Sequence, residues 1–523
     1  MLIHKEKKAV ILRLKNPSRV TTVIPTAVEV NHKGQRLVAI PHRPDETRVL
    51  RNLGFEVPDP MPIHYNWPKA NGRHNPFAAQ RETASFLSMH SRAFCLNGMG
   101  TGKTNAALWS YDYLRRTKQV NKVLVVCPLS TMERTWADSV FNTFPHLDAV
   151  VLHGTRDKRL KLLKQDVNVY IINIDGLSTI KDALKDRDDI DLIVIDELAL
   201  ARNSSTERWK TLNVICNKQT TRRVWGMTGS PTPNLPTDAW AQCKLVTPDN
   251  KSVPKYFGAF RDMVMRQITQ FKWVNKPEAN DVVYQMMQPS IRFSLDDCTD
   301  LPEQTFITRD VEMTTEQKKA YKDMLSKLAT EYQGGQILAV NEAVKANKLI
   351  QICCGVAYGT DGDTVVIPSK PRMDVLKEII EESEGKVIVF VPLTGALESV
   401  AAELRKDWSV ETVHGDTSKN ERDRIFADFQ KLPDPRVLVA NAATMSHGLT
   451  LTAATTIVWY APVHSNEVYE QACARVRRPG QTRTTVIVHI AGSEVERRVY
   501  KRLQDKQSMQ GLLLDMMKER PDE

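Results

Sequence analysis

The stretch Asn97-Gly-Met-Gly-Thr-Gly-Lys-Thr104 decides the fold of the chain's first half. It follows an apolar run at residues 93–96 and precedes a stretch with helical periodicity at residues 106–113. A glycine-rich turn between a buried strand and a helix lets backbone N–H groups face phosphate oxygens at the positive end of the helix. We therefore predict a phosphate-binding loop, with a chance glycine-rich turn as the alternative.

The residue types in this loop fit a nucleoside triphosphate and a divalent cation. The predicted phosphate-binding residues are Gly98, Gly100, Thr101, Gly102, Lys103 and Thr104. Lys103 would reach the β- and γ-phosphates, and the Thr104 hydroxyl would ligate Mg²⁺. The first glycine of the usual pattern is absent, because Asn97 occupies its position. ATP and Mg²⁺ are the expected ligands.

Two acids end a second apolar run, Leu192-Ile-Val-Ile-Asp-Glu197. A carboxylate at the carboxyl end of a strand can hold Mg²⁺ through water, and its neighbour can orient the attacking water. We assign Asp196 to the metal and Glu197 to activation of the water. Such a pair alone is more often a solvated strand end, but its place about 90 residues after the loop favours catalysis.

A third stretch, Gln471-Ala-Cys-Ala-Arg-Val-Arg-Arg-Pro-Gly-Gln481, lies in the second half of the chain. Arg475 and Arg478 are three residues apart, so a helix would project both from one face. A guanidinium can stabilise charge on a transferring phosphoryl group. A basic helix can equally lie on a DNA backbone. From the residues alone, both interpretations stay open.

Apolar runs alternate with helical stretches in two blocks, at about residues 75–245 and 370–500. Short buried strands between helices predict parallel sheets. The predicted strands are 123–127, 169–174 and 192–195 in the first block, and 386–391, 437–440, 456–459 and 485–490 in the second. Residues 246–368 are rich in Met and Lys and mostly helical in pattern, as at 315–332.

The N-terminal region has its own pattern. Short strands are predicted at residues 9–14, 21–30 and 35–40, with a turn at 31–34, and prolines from 41 to 68 predict a linker. Residues 1–51 hold 11 Lys or Arg and 4 Asp or Glu, so +7 of the net charge of +10 lies there. A basic surface favours a polyanionic partner, most simply nucleic acid. A dock for a partner protein is the alternative.

The composition of the 523 residues excludes several classes of protein. Hydrophobic residues make up 41% and charged residues 26%, which excludes wholesale disorder. No apolar run has the roughly 18 residues of a membrane helix, and we expect no signal peptide. The eight cysteines include no C-x-x-C pair. We expect a cytoplasmic, reduced protein without a zinc cluster.

The ordered set of motifs resembles the superfamily 2 helicase-related ATPases, specifically their Swi/Snf-like branch of double-stranded DNA translocases. The resemblance covers roughly residues 75–500. Besides the stretches above, the similar segments are Pro128-Leu-Ser130 with Trp136, Arg202-Asn203, Thr228-Gly-Ser-Pro231 with Asn234, Thr314-Thr-Glu-Gln317 with Tyr321, Leu349-Ile-Gln-Ile-Cys-Cys354 and Gly448-Leu-Thr-Leu-Thr-Ala-Ala454. Ala199 and Met445-Ser-His447 depart from the family pattern, as does Asn97.

The resemblance implies an α/β fold with two RecA-like parallel-sheet lobes, a helical insertion between them and a small β-rich N-terminal extension. The predicted regions are 1–70 (basic extension and linker), 71–245 (first lobe), 246–368 (insertion), 369–505 (second lobe) and 506–523 (tail). ATP would bind in the cleft between the lobes. The residues this implies are Gln80 for adenine, Gly448 at the nucleotide, Thr228, Gly229, Ser230 and Gln471 for coupling, and Arg475 and Arg478 for catalysis.

The function implied by the resemblance is ATP-dependent translocation on double-stranded or branched DNA, to remodel DNA structures or displace bound proteins. We expect a monomer in a bacterial or phage-infected cell. Two other functions stay open at this point. One is a helicase that separates DNA or RNA strands, and the other is a nucleotide-switched DNA-binding module that does not translocate.

Overall fold

The protein divides into two units, Met1–Thr299 and Asp300–Glu523, in a computed structural model. The structure describes residues 1–32, 34–233, 235–269, 272–298, 302–333, 339–358, 364–445, 450–478 and 480–505. The division falls within residues 246–368, which the sequence presents as one insertion. The predicted tail at 506–523 lies outside the described residues. No helix among the described residues is long and apolar enough to cross a membrane.

The first unit begins with a small antiparallel sheet in the strand order β1–β2–β4–β3. Its elements are β1 (Leu2–His4), β2 (Ala9–Leu12), α1 (Ser18–Thr21), β3 (Val28–His32), β4 (Gln35–Pro41), α2 (Pro44–Asn52) and α3 (Pro60–His64). Val10 and Leu12 alternate with exposed or half-buried neighbours, so one face of the sheet is buried. That face packs on Val20 and Leu50 of the first two helices.

Two sequence predictions are wrong in this region. The strand predicted at 21–30 is a helical turn followed by β3, because Val20 and Ile24 are both buried and are spaced as on one helical face. The linker predicted from the prolines contains α2 and α3. Pro44 and Pro60 stand in the first turns of these helices, where the missing N–H costs nothing.

The main sheet of the first unit is entirely parallel, in the order β13–β5–β10–β9–β6–β8–β7. Its elements are α4 (Ala78–Met89), β5 (Arg92–Cys95), α5 (Lys103–Arg116), β6 (Lys122–Cys127), α6 (Asp138–Thr143), β7 (Ala149–Val151), α7 (Arg156–Leu163), β8 (Val169–Asn173), α8 (Lys181–Lys185), β9 (Ile190–Asp196), α9 (Glu207–Asn217), β10 (Arg223–Met227), α10 (Asp238–Val246), α11 (Phe257–Val264), β11 (Met265–Thr269), β12 (Lys272–Asn275), α12 (Ala279–Met286) and β13 (Ser290–Ile291). The strands predicted in the first block are confirmed as β6, β8 and β9.

Residues 246–298 belong to this unit and do not form a separate body. Phe260 and Val264 of α11 and Ala279 of α12 are buried in the core that covers one face of the main sheet. Strand β13 then pairs with β5 in parallel, so Ser290 lies opposite Phe94. The segment therefore completes the sheet beside the strand that leads into the glycine-rich loop.

The second unit is built on another parallel sheet, in the order β14–β21–β20–β17–β19–β18. Its elements are β14 (Gln304–Asp310), α13 (Thr315–Gln333), α14 (Ala339–Cys353), β15 (Val356–Tyr358), β16 (Thr364–Val366), α15 (Lys370–Glu382), β17 (Lys386–Phe390), α16 (Thr394–Leu404), β18 (Val410–Val413), α17 (Lys419–Lys431), β19 (Val437–Ala440), β20 (Ala454–Trp459), α18 (Asn466–Cys473), β21 (Thr485–Ala491) and α19 (Glu494–Gln504). The four strands predicted in the second block are confirmed. Two parallel-sheet α/β units confirm the predicted fold class.

Candidate nucleotide-binding site

Three neighbouring strands of the first unit carry the predicted ATP-site residues. Strands β5, β10 and β9 are adjacent and parallel, so their carboxyl ends meet at one edge of the sheet. The glycine-rich loop follows β5, Thr228 follows β10, and Asp196 ends β9. Ligands of open α/β sheets bind outside this edge. Residues from three distant parts of the sequence therefore form one candidate site.

The glycine-rich loop contains two backbone conformations that residues other than glycine rarely adopt. Gly100 and Gly102 have φ angles of 77° and 80°, in the left-handed region that favours glycine. Helix α5 begins at Lys103, as the sequence predicts. The Lys103 ammonium donates to the carbonyls of Asn97 (2.8 Å) and Gly98 (3.0 Å). The cation is thus held within the curl of the loop, beside the start of α5.

Gln80 lies against the same loop. Its Nε2 donates to the Thr101 carbonyl (3.1 Å), and its Oε1 accepts from the Phe77 backbone N–H (3.0 Å). A Cβ on Gly102 would lie 2.1 Å from Gln80 Nε2, so the glycine permits this close approach. The side chain connects the start of α4 to the phosphate loop. Its role as an adenine contact stays a prediction.

Asn97, which departs from the family pattern, fastens the loop to its surroundings. Its side chain is buried, and its Nδ2 donates to the Thr83 hydroxyl (2.8 Å). Its Oδ1 accepts from the Phe293 backbone N–H (2.9 Å), and Gly98 N–H donates to the Phe293 carbonyl (2.7 Å). The sequence gives no sign of these partners, because the contact at Phe293 is made by its backbone.

The two acids have different environments. Burial raises the pKa of Asp196, while hydrogen bonds from the Trp136 indole (2.9 Å) and the Glu197 backbone N–H (3.2 Å) and the charge of Lys103 oppose the shift. Glu197 is half-buried and has a φ of 53°, a left-handed conformation that costs a non-glycine residue about 1–3 kcal/mol. Strain of this kind is common at functional sites. The two neighbouring acids therefore differ in their backbone conformation and in the hydrogen bonds described above.

Thr228 and Gly229 pack directly on the phosphate loop. Thr228 N–H donates to the Cys95 carbonyl (3.1 Å), and its hydroxyl accepts from Ser230 N–H (3.3 Å). A Cβ on Gly229 would lie 3.4 Å from Met99 Cγ. The turn after β10 thus lies beside the loop that follows β5. The coupling role of these residues and of Gln471, whose amide donates to Glu467 (3.2 Å), stays a prediction.

The prediction that one helix carries both Arg475 and Arg478 is wrong. Helix α18 ends at Cys473, and residues 474–478 form turns. A continued helix would need residue 479 to donate to the Arg475 carbonyl, but that residue is proline and has no N–H. The Arg475 carbonyl accepts instead from Leu451 N–H (2.9 Å).

Arg478 is positioned within the second unit by two hydrogen bonds. Its guanidinium donates to the Ala474 carbonyl (3.0 Å) and the Thr450 hydroxyl (3.3 Å). Burial lowers the pKa of Arg478 to about 10, so the group stays charged at neutral pH. Arg475 is buried. Gly448, predicted to contact the nucleotide, lies outside the described residues.

The donor set of the first unit fits a triphosphate with Mg²⁺. Magnesium prefers oxygen ligands and is usually held by one or two carboxylates together with substrate phosphates. Thr104 in the first turn of α5 and Asp196 supply a hydroxyl and a carboxylate at the same sheet edge. Within the described ranges, no group of three or more His, Cys, Asp or Glu could hold a metal.

Comparison with known proteins gives family matches over both units. A profile described as the SNF2-related domain matches residues 81–355, and a profile for the helicase conserved C-terminal domain matches residues 371–480. Putative protein p41 of Acyrthosiphon pisum secondary endosymbiont phage 1 is 26% identical over 443 residues, which are 80% of this chain and 94% of that protein.

Two further similarities involve a longer protein and a solved structure. The chromodomain-helicase-DNA-binding protein 1-like of Danio rerio is 24% identical over 453 residues, 80% of this chain and 42% of that protein. The chain therefore spans less than half the length of the fish protein. The structure titled Sulfolobus solfataricus SWI2/SNF2 ATPase core in complex with dsDNA has 21% identity and a TM-score of 0.41, covering 84% of this chain and 92% of that chain.

The close approach of Gln80 to Gly102 gives a testable prediction. Gly102→Ala should weaken binding of a fluorescent ATP analogue by at least about ten-fold, because the new Cβ would displace the Gln80 amide and strain the loop. Gly54→Ala is the matched control, since Gly54 also has a positive φ (90°) but nothing lies within 4 Å of its Cβ position. Equal affinities of the two variants, measured by anisotropy titration, would contradict this account of the loop.

Proposed function

The chain belongs to the SNF2-related family of DNA-dependent ATPases, and we propose that it couples hydrolysis of ATP to ADP and phosphate to translocation along double-stranded DNA. The observation that carries the proposal is the convergence of Lys103, Asp196 and Glu197 at one edge of the first sheet. These residues are the parts that phosphoryl transfer to water requires: a phosphate-binding cation, a metal-binding acid and an acid for the water.

In the proposed mechanism, each side chain has one task. Lys103 exchanges its two loop carbonyls for the β- and γ-phosphates, whose charge it offsets. Thr104 and Asp196 would hold Mg²⁺, which would supply positive charge to offset the negative charge that develops on the phosphates. Glu197 accepts the proton of the attacking water. Arg475 and Arg478 of the second unit supply positive charge to the transferring phosphoryl group.

Double-stranded DNA is the proposed track on three grounds. The family supplies the first, and the name of the fish relative, which includes DNA binding, supplies the second. The third is the basic N-terminal region, with +7 of the net +10 in residues 1–51. We further propose that the protein acts as a monomer in the cytoplasm of a bacterial or infected cell, and that branched DNA or bound proteins are what it remodels.

Substitutions at Glu197 and Lys103 distinguish ATP hydrolysis from ATP binding. Glu197→Gln should retain ATP binding but lose hydrolysis, because a neutral amide cannot accept the proton of water. Lys103→Ala should lose ATP binding itself, because the cation that offsets the phosphate charge is gone. Filter binding with labelled ATP and a phosphate-release assay measure the two properties. Turnover at the wild-type rate in Glu197→Gln would remove the assignment of the water-activating acid.

Arg478 distinguishes a role in catalysis from a role in DNA binding. Arg478→Ala should lower kcat at saturating DNA by roughly a thousand-fold, because an arginine that stabilises the transition state of phosphoryl transfer typically contributes that much to kcat. Arg477→Ala removes the same charge one residue away and should keep kcat. If Arg478 instead contacts the DNA backbone, its loss would raise the DNA concentration required and leave kcat near the wild-type value. Steady-state ATPase titrations with duplex DNA decide between these results.

The proposed substrate, double-stranded DNA, is tested with a panel of nucleic acids. Duplex DNA should stimulate ATP hydrolysis at least as well as single strands, and the enzyme should displace a triplex-forming strand from a duplex in an ATP-dependent reaction. Strand separation of a plain duplex is not expected. Efficient unwinding, or stimulation by RNA alone, would support a helicase. DNA binding that changes with nucleotide but without DNA-stimulated turnover would support a nucleotide-switched module.

A further inference from the structure

Trp136 makes a contact with the proposed metal-binding acid that no assigned role explains. Its indole Nε1 donates to Asp196 Oδ2 at 2.9 Å, and the side chain is fully buried. Trp136 stands on a short π-helical turn, Met132–Ala137, that follows β6. Such turns are rare and occur frequently at functional sites. The contact therefore joins an unusual segment of backbone to the candidate active site.

The acceptor sets this tryptophan apart from comparable ones. The buried Trp109 and Trp225 donate to backbone carbonyls, those of Pro68 and His90, each at 2.9 Å. A backbone carbonyl accepts from an indole N–H but does not titrate, so these two bonds affect no ionisation equilibrium. A hydrogen bond to an ionised carboxylate is roughly twice as strong as one between neutral groups. The bond from Trp136 thus favours the ionised form of Asp196 and fixes its direction.

The hydrogen bonds at Asp196 leave room for a further ligand. Oδ2 accepts from Trp136, and Oδ1 accepts from the Glu197 backbone N–H at 3.2 Å. Each carboxylate oxygen has two lone pairs, so one on each remains beyond these two donors. Cys127 ends the neighbouring strand β6, and burial and the charge of Asp196 raise the pKa of its thiol, which keeps it neutral. The carboxylate is thus oriented by two donors on its protein side.

We propose that Trp136 is a positioning residue for the magnesium-binding carboxylate of Asp196. Its N–H holds the carboxylate in the orientation in which the remaining lone pairs meet the ion or the water bound to it. The inference rests on the proposed function, since it requires that ATP binds with Mg²⁺ at this edge of the sheet. Loss of an outer partner of a metal ligand typically costs about 10- to 100-fold in metal affinity or activity.

The experiment compares Trp136→Phe with Trp225→Phe in the full chain. Both substitutions remove a fully buried indole and its N–H from the same hydrophobic cluster, but only the first removes a donor to Asp196. A non-hydrolysable fluorescent ATP analogue, excited directly, is titrated with Mg²⁺ and with EDTA. Trp136→Phe should reduce the gain in affinity that Mg²⁺ provides by about ten-fold or more. It should also raise the Mg²⁺ concentration for half-maximal ATPase rate, while Trp225→Phe should change neither.

The possible results separate this inference from the proposed function. If the wild-type protein gains no affinity from Mg²⁺, the proposed function fails. If the wild type gains affinity and both variants match it, the positioning role is overturned. Where Trp136→Phe does not fold, Trp136→Met removes the N–H donor and refills the space with a flexible apolar side chain. A smaller gain from Mg²⁺ in that variant than in Trp225→Phe supports the role, and an equal gain overturns it.

Discussion

The parallel hydrogen-bond ladder through β5, β10 and β9 is the constraint on which the candidate site depends. Gly226 in the central strand lies opposite Phe94 on one side and Ile195 on the other, so the three strands end level. Parallel strands need long crossovers, which is why residues far apart in the chain leave the sheet at one edge. Gly226 also has a packing role, since a Cβ there would lie 2.6 Å from Leu198 Cδ2 in the turn after Glu197.

Charge at this edge is held in place by the protein itself. Lys103 lies on two carbonyls of its own loop, and Asp196 accepts from an indole and a backbone N–H. Burial raises the pKa of the Asp196 carboxyl, and these donors together with Lys103 oppose part of that shift. When the charged groups of a site are already oriented, little reorganisation is needed as charge develops on the ligand in the transition state. The fold therefore orients these groups for the proposed reaction before ATP binds.

Sequence reasoning reached the parts of this site that depend on local pattern. Apolar runs between helices located the strands, and the glycine spacing located the loop and the start of α5, because strand periodicity and turn chemistry are local properties. Contacts between distant segments were not accessible. The bonds from Asn97 to Phe293 and from Trp136 to Asp196 depend on tertiary packing. The prediction of a linker at Pro44 and Pro60 is wrong because proline begins helices as well as ending them, and these two begin α2 and α3.

In the second unit, residues 474–478 carry Arg475 and Arg478. Hydrogen bonds from other segments hold these residues in place, although they do not form a helix. A helix would have supported its side chains through its own hydrogen-bond ladder, but Pro479 removes a donor that such a ladder needs. Gln481 supports the turn instead, since its buried Nε2 donates to the Val476 carbonyl (3.3 Å) and its backbone N–H donates to the Arg478 carbonyl (2.9 Å). Arg478 is half-buried in its own unit, where partial burial lowers its pKa and its guanidinium donates to the Ala474 carbonyl and the Thr450 hydroxyl. A cation that has already lost water gains more from an anion than a solvated one, because less solvation remains to be removed.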